Sequence, residues 1–277
     1  MNAELAAILG VLKDLRGIDF TRYRQGTLQR RLANRMAFLG LADDMQKYLH
    51  VLRTDPAEPD RLIEVIGINV SHFFRDPLVF EVLAKSVFPA IIERKKHLGS
   101  HNIRIWSAGC AGGEEAYSLA ILLDLALRKE VEPWHSYIFA SDMSGQALRE
   151  AAAGVYAREK LAETKLGILD AYFIETTEGF RVRPFLRERV QFCHDDLVSR
   201  HTVAPTESIF GAFDLVLCRN VLIYFESELQ AQVQQKLCRA LDTAGFLVLG
   251  PSEALHPQVE GQLKAVEQSC HIWQKKG

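Results

Sequence analysis

The stretch Trp106-Ser-Ala-Gly109-Cys-Ala-Gly112-Gly113-Glu114-Glu115 decides the fold. It joins a short apolar run, Ile103–Ser107, to a helical pattern that starts at Glu114 and runs to Arg128. In an open α/β sheet, ligands sit at the carboxyl ends of the strands, where the first strand–helix turn must be rich in small residues. Glycines there let the backbone approach a ligand, and the helix that follows offers free N–H groups. The turn is not Gly-x-Gly-x-x-Gly, and it lacks the Gly-Lys-Ser/Thr of a phosphate loop. Two glutamates at the helix start would repel a pyrophosphate, which argues against NAD or ATP. They suit a cationic group such as an α-amino group, or they simply complement the helix dipole.

Outward from this turn the chain alternates strands and helices. Strands are expected at Ile103–Ser107, Ser136–Ser141, Val190–Cys193, Phe213–Cys218, Gly245–Gly250 and Cys270–Gln274, and helices at Glu114–Arg128, Gly145–Gly154 and Glu226–Leu241. That rhythm means crossover units and a mostly parallel sheet. Between the second and third strands, Ala171–Thr176 and Phe180–Arg183, joined across Glu178-Gly179, predict a small antiparallel hairpin. Before residue 76 the pattern is helical only. Leu28, Leu32, Met36 and Leu39 repeat at helical spacing after Gly26-Thr27, and Gly40 supplies a stop.

The chain has 277 residues, 48% hydrophobic and 25% charged, with a net charge of −2. Disorder is excluded, and no bulk positive field draws the molecule to nucleic acid or anionic lipid. Five scattered cysteines form no Cys-x-x-Cys pair, so no metal site is expected. The start carries Lys13, Asp14 and Arg16 with no long apolar core, and the most apolar helix is cut by Asp124. A cytoplasmic protein without a membrane span is the expectation. Asp142 closes the second strand, where an acid can take two ribose hydroxyls. A glycine turn, no phosphate lysine and that acid fit S-adenosylmethionine better than a dinucleotide.

Four segments, in order, carry a resemblance: Ile68-Asn-Val-Ser-His-Phe-Phe-Arg75-Asp76, Trp106–Ser118, Ala140-Ser-Asp142 and Cys218-Arg-Asn-Val-Leu-Ile-Tyr224-Phe225. Together they resemble the chemotaxis receptor methyltransferases, the CheR family, over nearly the whole chain. The resemblance implies a class I S-adenosylmethionine-dependent methyltransferase fold, α/β and Rossmann-like, whose mostly parallel sheet ends in an antiparallel strand. A small all-helical domain and linker, residues 1–75, precede a methyltransferase domain at 76–277, with a β insertion at about 160–186. It implies methylation of glutamate side chains on chemoreceptors, giving glutamyl methyl esters and S-adenosylhomocysteine. The rival readings are a methyltransferase for another protein or small molecule on the same scaffold, and a non-catalytic S-adenosylmethionine-binding signalling adaptor.

Carried over by position, Asn69, Ser71, Arg75, Gly109, Glu114 or Glu115, Asp142, Asp196, Leu197, Arg219 and Asn220 would surround the cofactor. Aspartate stands at 196 where the family often has asparagine, and it cannot donate in the same way. Arg75 and Tyr224 would lie beside the substrate carboxylate as catalytic residues. A glutamate carboxylate is already an anion at neutral pH, so no general base is needed. His72 is the one histidine within these motifs.

Residues 20–42 hold Arg22, Arg24, Arg30, Arg31 and Arg35 and no acid. On a helical wheel Arg30, Arg31 and Asn34 point away from the apolar face, with Arg35 at its border. One-signed charge is tolerated there for a reason, and Arg30, Arg31 and Arg35 are the expected docking residues for a glutamate-rich receptor helical bundle. Nucleic acid is not expected, because the motifs lack stacking surfaces. The chain is expected to act as a monomer. The insertion's Phe180-Arg-Val-Arg183 alternates as an edge strand for a receptor C-terminal peptide, but Pro184 follows at once, and tight peptide binding is not expected.

Overall fold

The computed structural model describes residues 3–42, 44–67, 71–199, 204–205, 208 and 212–277. Four helices open the chain: α1 (Ala3–Arg16), α2 (Gln25–Phe38), α3 (Met45–Thr54) and α4 (Glu58–Ile66). Leu28, Leu32 and Met36 of α2 are buried as the spacing requires, and Asp44 caps α3 by accepting from the Lys47 amide. The next helix is continuous through α5 (Pro77–Val82), a π turn at Leu83–Val87 and α6 (Phe88–His97). The strand–helix rhythm named no element there, because an all-helical segment carries no alternation to read.

The remaining elements are β1 (Asn102–Ala108), α7 (Glu114–Leu127), β2 (His135–Asp142), α8 (Gly145–Ala153), β3 (Val155–Tyr156), α9 (Leu166–Tyr172), β4 (Phe173–Thr176), β5 (Gly179–Val182), α10 (Pro184–Arg187), β6 (Val190–His194), β7 (Phe213–Cys218), α11 (Ser227–Ala240), β8 (Leu241–Leu249), α12 (Pro257–Glu260), β9 (Leu263–Glu267) and β10 (Ile272–Lys275). The main sheet runs β6-β2-β1-β7-β8-β10-β9. Its first five strands are parallel, and β10 is antiparallel to both neighbours. The expected strands are all present. β9 is an addition: on this sheet edge only Leu263 is buried, so its sequence has no clear alternation.

Side chains leave a strand on alternate faces, and this divides the core. Trp106, Phe139, Val216 and Leu247 face α11 and the four N-terminal helices. Ile103, Ile105, Ile138, Leu215 and Val248 face α5–α7 and the insertion. The insertion is a three-stranded sheet in the order β3-β5-β4. Phe180–Val182 therefore lies in the central strand, not at an edge. The sequence could not show this, since the third strand, Val155–Tyr156, is two residues long and pairs with Phe180 and Arg181 from beyond the insertion. Along the chain, the carboxyl ends of β1, β2, β6 and β7 meet the N-terminal helices above one cleft.

Candidate active site

The glycine turn after β1 is fixed by its neighbour strand. Both the Gly109 and Cys110 amides donate to Ser141 O, at 2.8 and 3.0 Å. Gly109 has φ +76°, and a Cβ there would lie 2.5 Å from Val221 Cγ2. Glycine is thus required where this turn meets the loop after β7. Asp142, at the end of β2, is buried, and its Oδ2 accepts from the Ala111 amide and its Oδ1 from Ser144, each at 2.9 Å. Burial raises its carboxyl above the ordinary value against those backbone donors.

The two glutamates of α7 separate. Glu114 is buried with Oε1 2.8 Å from Lys160 Nζ, which also donates to Ser71 O at 2.6 Å. It binds the insertion to the linker and does not line the cleft. Glu115 does line it. Its Oε1 accepts from Ser107 Oγ at 2.7 Å, and its Oε2 lies 3.2 Å from Arg219 Nη1.

Arg219, buried at the end of β7, donates through Nη2 to Asp76 Oδ2 at 2.6 Å and Arg75 O at 2.9 Å. It therefore ties the linker to the start of α7. Its Nε has no hydrogen-bond partner among the described residues. Asn220 follows with φ +61°. Its amide and those of Val221 and Leu222 donate to Glu253 at 3.0, 2.8 and 2.7 Å. Glu253 is a residue that motif reading missed.

Arg75 and Tyr224 line the same cleft as Ser71, Glu115, Asp142, Asp196 and Leu197. Asn69 lies outside the described residues. The Tyr224 phenol is raised by burial, opposed by the charges of Arg31 and Arg75, so it is neutral at neutral pH. Asp196 accepts from the Val198 amide at 2.9 Å, and burial raises its carboxyl as well. Cys110 is buried, which pushes its thiol up and leaves it inert as a nucleophile. Among the described lining residues His72 is the sole histidine, and its Nε2 is 3.3 Å from Glu163. The N-terminal segment also contributes: Tyr23, between α1 and α2, lines the cleft beside Met143, pairs with Phe225 in a β-bridge and stacks edge-on against it. Nothing in the sequence around Tyr23 signals this, because the partner is two hundred residues away.

The three arginines expected to dock a receptor occupy different settings. Arg30 and Asn34 are exposed. Arg31 donates to Val65 O at 2.6 Å and lies over the Tyr224 ring. Arg35 is held in a fork against buried Glu58, at 2.8 and 2.5 Å, with the Tyr48 hydroxyl donating to the same carboxylate. Arg31 thus does not point away into solvent as the helical wheel placed it, and Arg35, placed at the border of the apolar face, is engaged with Glu58. A wheel drawn for one helix has no second covered face, and here α4 and the loop bearing Tyr224 supply one.

The strand order, the glycine turn and the acid closing β2 define a class I S-adenosylmethionine-dependent methyltransferase. Residues 69–272 match the family described as CheR methyltransferase, SAM binding domain, and residues 3–66 match CheR methyltransferase, all-alpha domain. The chain belongs to the CheR methyltransferase family. It is 33% identical over 245 residues to the chemotaxis protein methyltransferase of Listeria innocua, covering 88% of this chain and 87% of that one. It is 34% identical over 270 residues to an uncharacterized 104.1 kDa protein of Rhodobacter capsulatus, covering 98% of this chain but 27% of that relative's length. Among solved structures, magnesium protoporphyrin IX methyltransferase from Synechocystis with bound SAM aligns over 72% of this chain and 81% of its own, at 17% identity and a TM-score of 0.37.

Proposed function

We propose that this chain transfers a methyl group from S-adenosylmethionine to glutamate carboxylates of chemoreceptors. The observation that carries the reading is that Arg75 and Tyr224 face one cleft with Glu115 and Asp142. The cleft fits the cofactor: Asp142 keeps acceptor capacity beyond its backbone donors, Glu115 offers negative charge for an amino group, and the orphan Nε of Arg219 offers a donor. In this assignment Asp142 takes the ribose, Asp196 and Leu197 flank the adenine, and Glu115 receives the amino group. Ser71, Gly109, Arg219 and Asn220 complete the surround, with Asn69 in the same linker. Glu114 is assigned to holding the insertion.

Bound S-adenosylmethionine would supply a methyl group on a sulfonium, whose displacement needs no proton transfer. Arg75 then orients the attacking carboxylate, as a planar fork aligns an anion without removing its nucleophilic lone pair. The neutral Tyr224 hydroxyl borders the same space. Positioning supplies the acceleration, for which about 7–11 kcal/mol is available in well-oriented reactions. The four-helix segment, with Arg30 outermost, is the docking element for an acidic receptor bundle, and residues 76–277 carry the transfer. Such receptors present their helical bundles to the cytoplasm, where we place the protein as a monomer. Among the described residues no helix is long and apolar enough to cross a membrane.

Labelled methyl incorporation into a cytoplasmic chemoreceptor fragment tests the proposal. Release of the label in mild alkali is expected of a carboxyl ester. Label that survives alkali would assign the transfer to a group other than a carboxylate and overturn the glutamate reading.

A further inference from the structure

We propose that Glu253, which follows β8, is a positioning residue for methyl transfer: one buried carboxylate that sets the backbone of the loop bearing Asn220 and Tyr224. The proposal rests on the methyl-transfer reading above and deepens it. Glu253 is 3% exposed. Its Oε1 accepts from the Val221 and Leu222 amides at 2.8 and 2.7 Å, and its Oε2 from Asn220 at 3.0 Å and Gly250 at 2.6 Å. Three consecutive amides converge on one anion only where the backbone turns through a concave arrangement of N–H groups. The positive φ of Asn220, +61°, provides that turn, and asparagine tolerates it better than most residues.

The clamp acts at a distance from the chemistry. Asn220, Val221 and Tyr224 line the cleft, whereas Glu253 does not. Val221 in turn sits against Gly109, so the same carboxylate sets the spacing between the loops after β1 and β7. The turn carrying Glu253 is itself braced. Its amide donates to Gly250 O at 3.0 Å, and His271 Nδ1 lies 2.6 Å from its carbonyl oxygen. Gly250 has to be glycine here, since a Cβ would lie 2.7 Å from the Asn220 nitrogen. A carboxylate is the group this arrangement requires, because each of its oxygens accepts two N–H donors. In Glu253→Gln one of those oxygens becomes an NH2 facing two donors.

The test uses the full chain, with a receptor fragment as substrate. Glu253→Gln is expected to lower kcat on the order of 10- to 100-fold, the scale of about 1 Å of misplacement, while KM for the fragment stays within about threefold. Glu253→Asp, charged but shorter, is expected to recover part of kcat. Amide hydrogen exchange supplies a readout independent of turnover. In the unsubstituted protein the Asn220, Val221 and Leu222 amides are expected to exchange slowly and together. In Glu253→Gln at least two of them should speed up, with β1 and β2 protection unchanged. An unchanged kcat overturns the proposal, as does loss of β1 and β2 protection in parallel with kcat. If the unsubstituted amides exchange at open-loop rates, the clamp fails whatever the variants do, including one that does not fold. A chain that methylates nothing while these amides stay protected would fail the functional reading and not the clamp.

Discussion

Arg31 of the basic helix places its guanidinium 5.7 Å from the centre of the Tyr224 ring while its Nη1 donates to Val65 O at 2.6 Å and Ile66 O at 3.2 Å. One side chain thus joins α2, the end of α4 and the loop bearing Tyr224. The backbone reinforces the joint: the Arg24 amide donates to Tyr224 O at 2.8 Å and the Glu226 amide to Arg22 O at 3.1 Å. The helix that carries Arg30 is therefore joined directly to the segment that carries Tyr224.

Arg30 and Arg31 should accordingly fail in different ways. Arg30→Glu reverses an exposed charge and is expected to raise KM for a receptor fragment with kcat nearly intact. Arg31→Ala removes the brace over Tyr224 and is expected to lower kcat more than it raises KM. Steady-state kinetics on the two single variants separates them. Equal effects on KM would return Arg31 to the docking surface.

Gly109→Ala should weaken cofactor binding by closing the gap between the loops. The left-handed φ adds about 1–2 kcal/mol of strain for an L-residue, and the new Cβ meets Val221 Cγ2. Calorimetry with S-adenosylhomocysteine is expected to show at least about tenfold weaker binding, with Val221→Ala in the same chain restoring part of it. Restoration of nothing would place the damage in the turn itself.

The Arg35–Glu58 fork is predicted to serve stability. Glu58 is 1% exposed, and removing its partner leaves a buried anion with only the Tyr48 hydroxyl and, at 3.9 Å, the Arg61 guanidinium. Arg35→Ala should cost about 3–5 kcal/mol in urea unfolding, as breaking a buried pair does. A change below about 1 kcal/mol would show the pair to be solvated in solution, leaving Arg35 available for docking.

The turn Trp106–Glu115 and Asp142 were legible because their constraints are local: a strand must end, a helix must begin, and small residues or an acid must stand between. Glu253 was not legible, because it acts through the backbone amides of Asn220–Leu222, and an amide has no letter in a sequence. Arg30 and Arg31 look alike as neighbours in one charge run, and only the packing of α4 and Tyr224 against one of them tells them apart. The Phe180–Val182 strand was visible as a strand, whereas its central place depended on Val155–Tyr156, too short to show a period.

That central place bears on the insertion. With β5 flanked on both sides, the outer edges belong to β3, two residues long, and β4, four residues long, with Ile174 exposed. A C-terminal receptor pentapeptide is expected to bind no more tightly than about millimolar, since so short an edge offers few backbone donors and acceptors. Fluorescence anisotropy with a labelled peptide checks this, and micromolar binding would overturn it.

Asp142 gives cofactor binding a pH dependence whose sign can be worked out. Burial raises the free protein's Asp142 carboxyl above the ordinary aspartate value. Two ribose hydroxyls would donate to the ionised form, so binding favours the anion and lowers that pKa. Affinity for S-adenosylhomocysteine is therefore constant above the raised pKa and falls as pH drops through it, by about tenfold per pH unit once the carboxyl is protonated. The same shift acts oppositely on folding: the protonated form is favoured in the native state, so this stabilising contribution is present at low pH and lost as pH rises through the folded pKa. Proton release on binding, measured by calorimetry in two buffers of different ionisation enthalpy, is expected near the raised pKa and is expected to vanish well above it. Asp142→Asn should bind weakly with a flatter pH profile across this range. A wild-type profile that stays flat down to the ordinary aspartate range would detach Asp142 from the ribose.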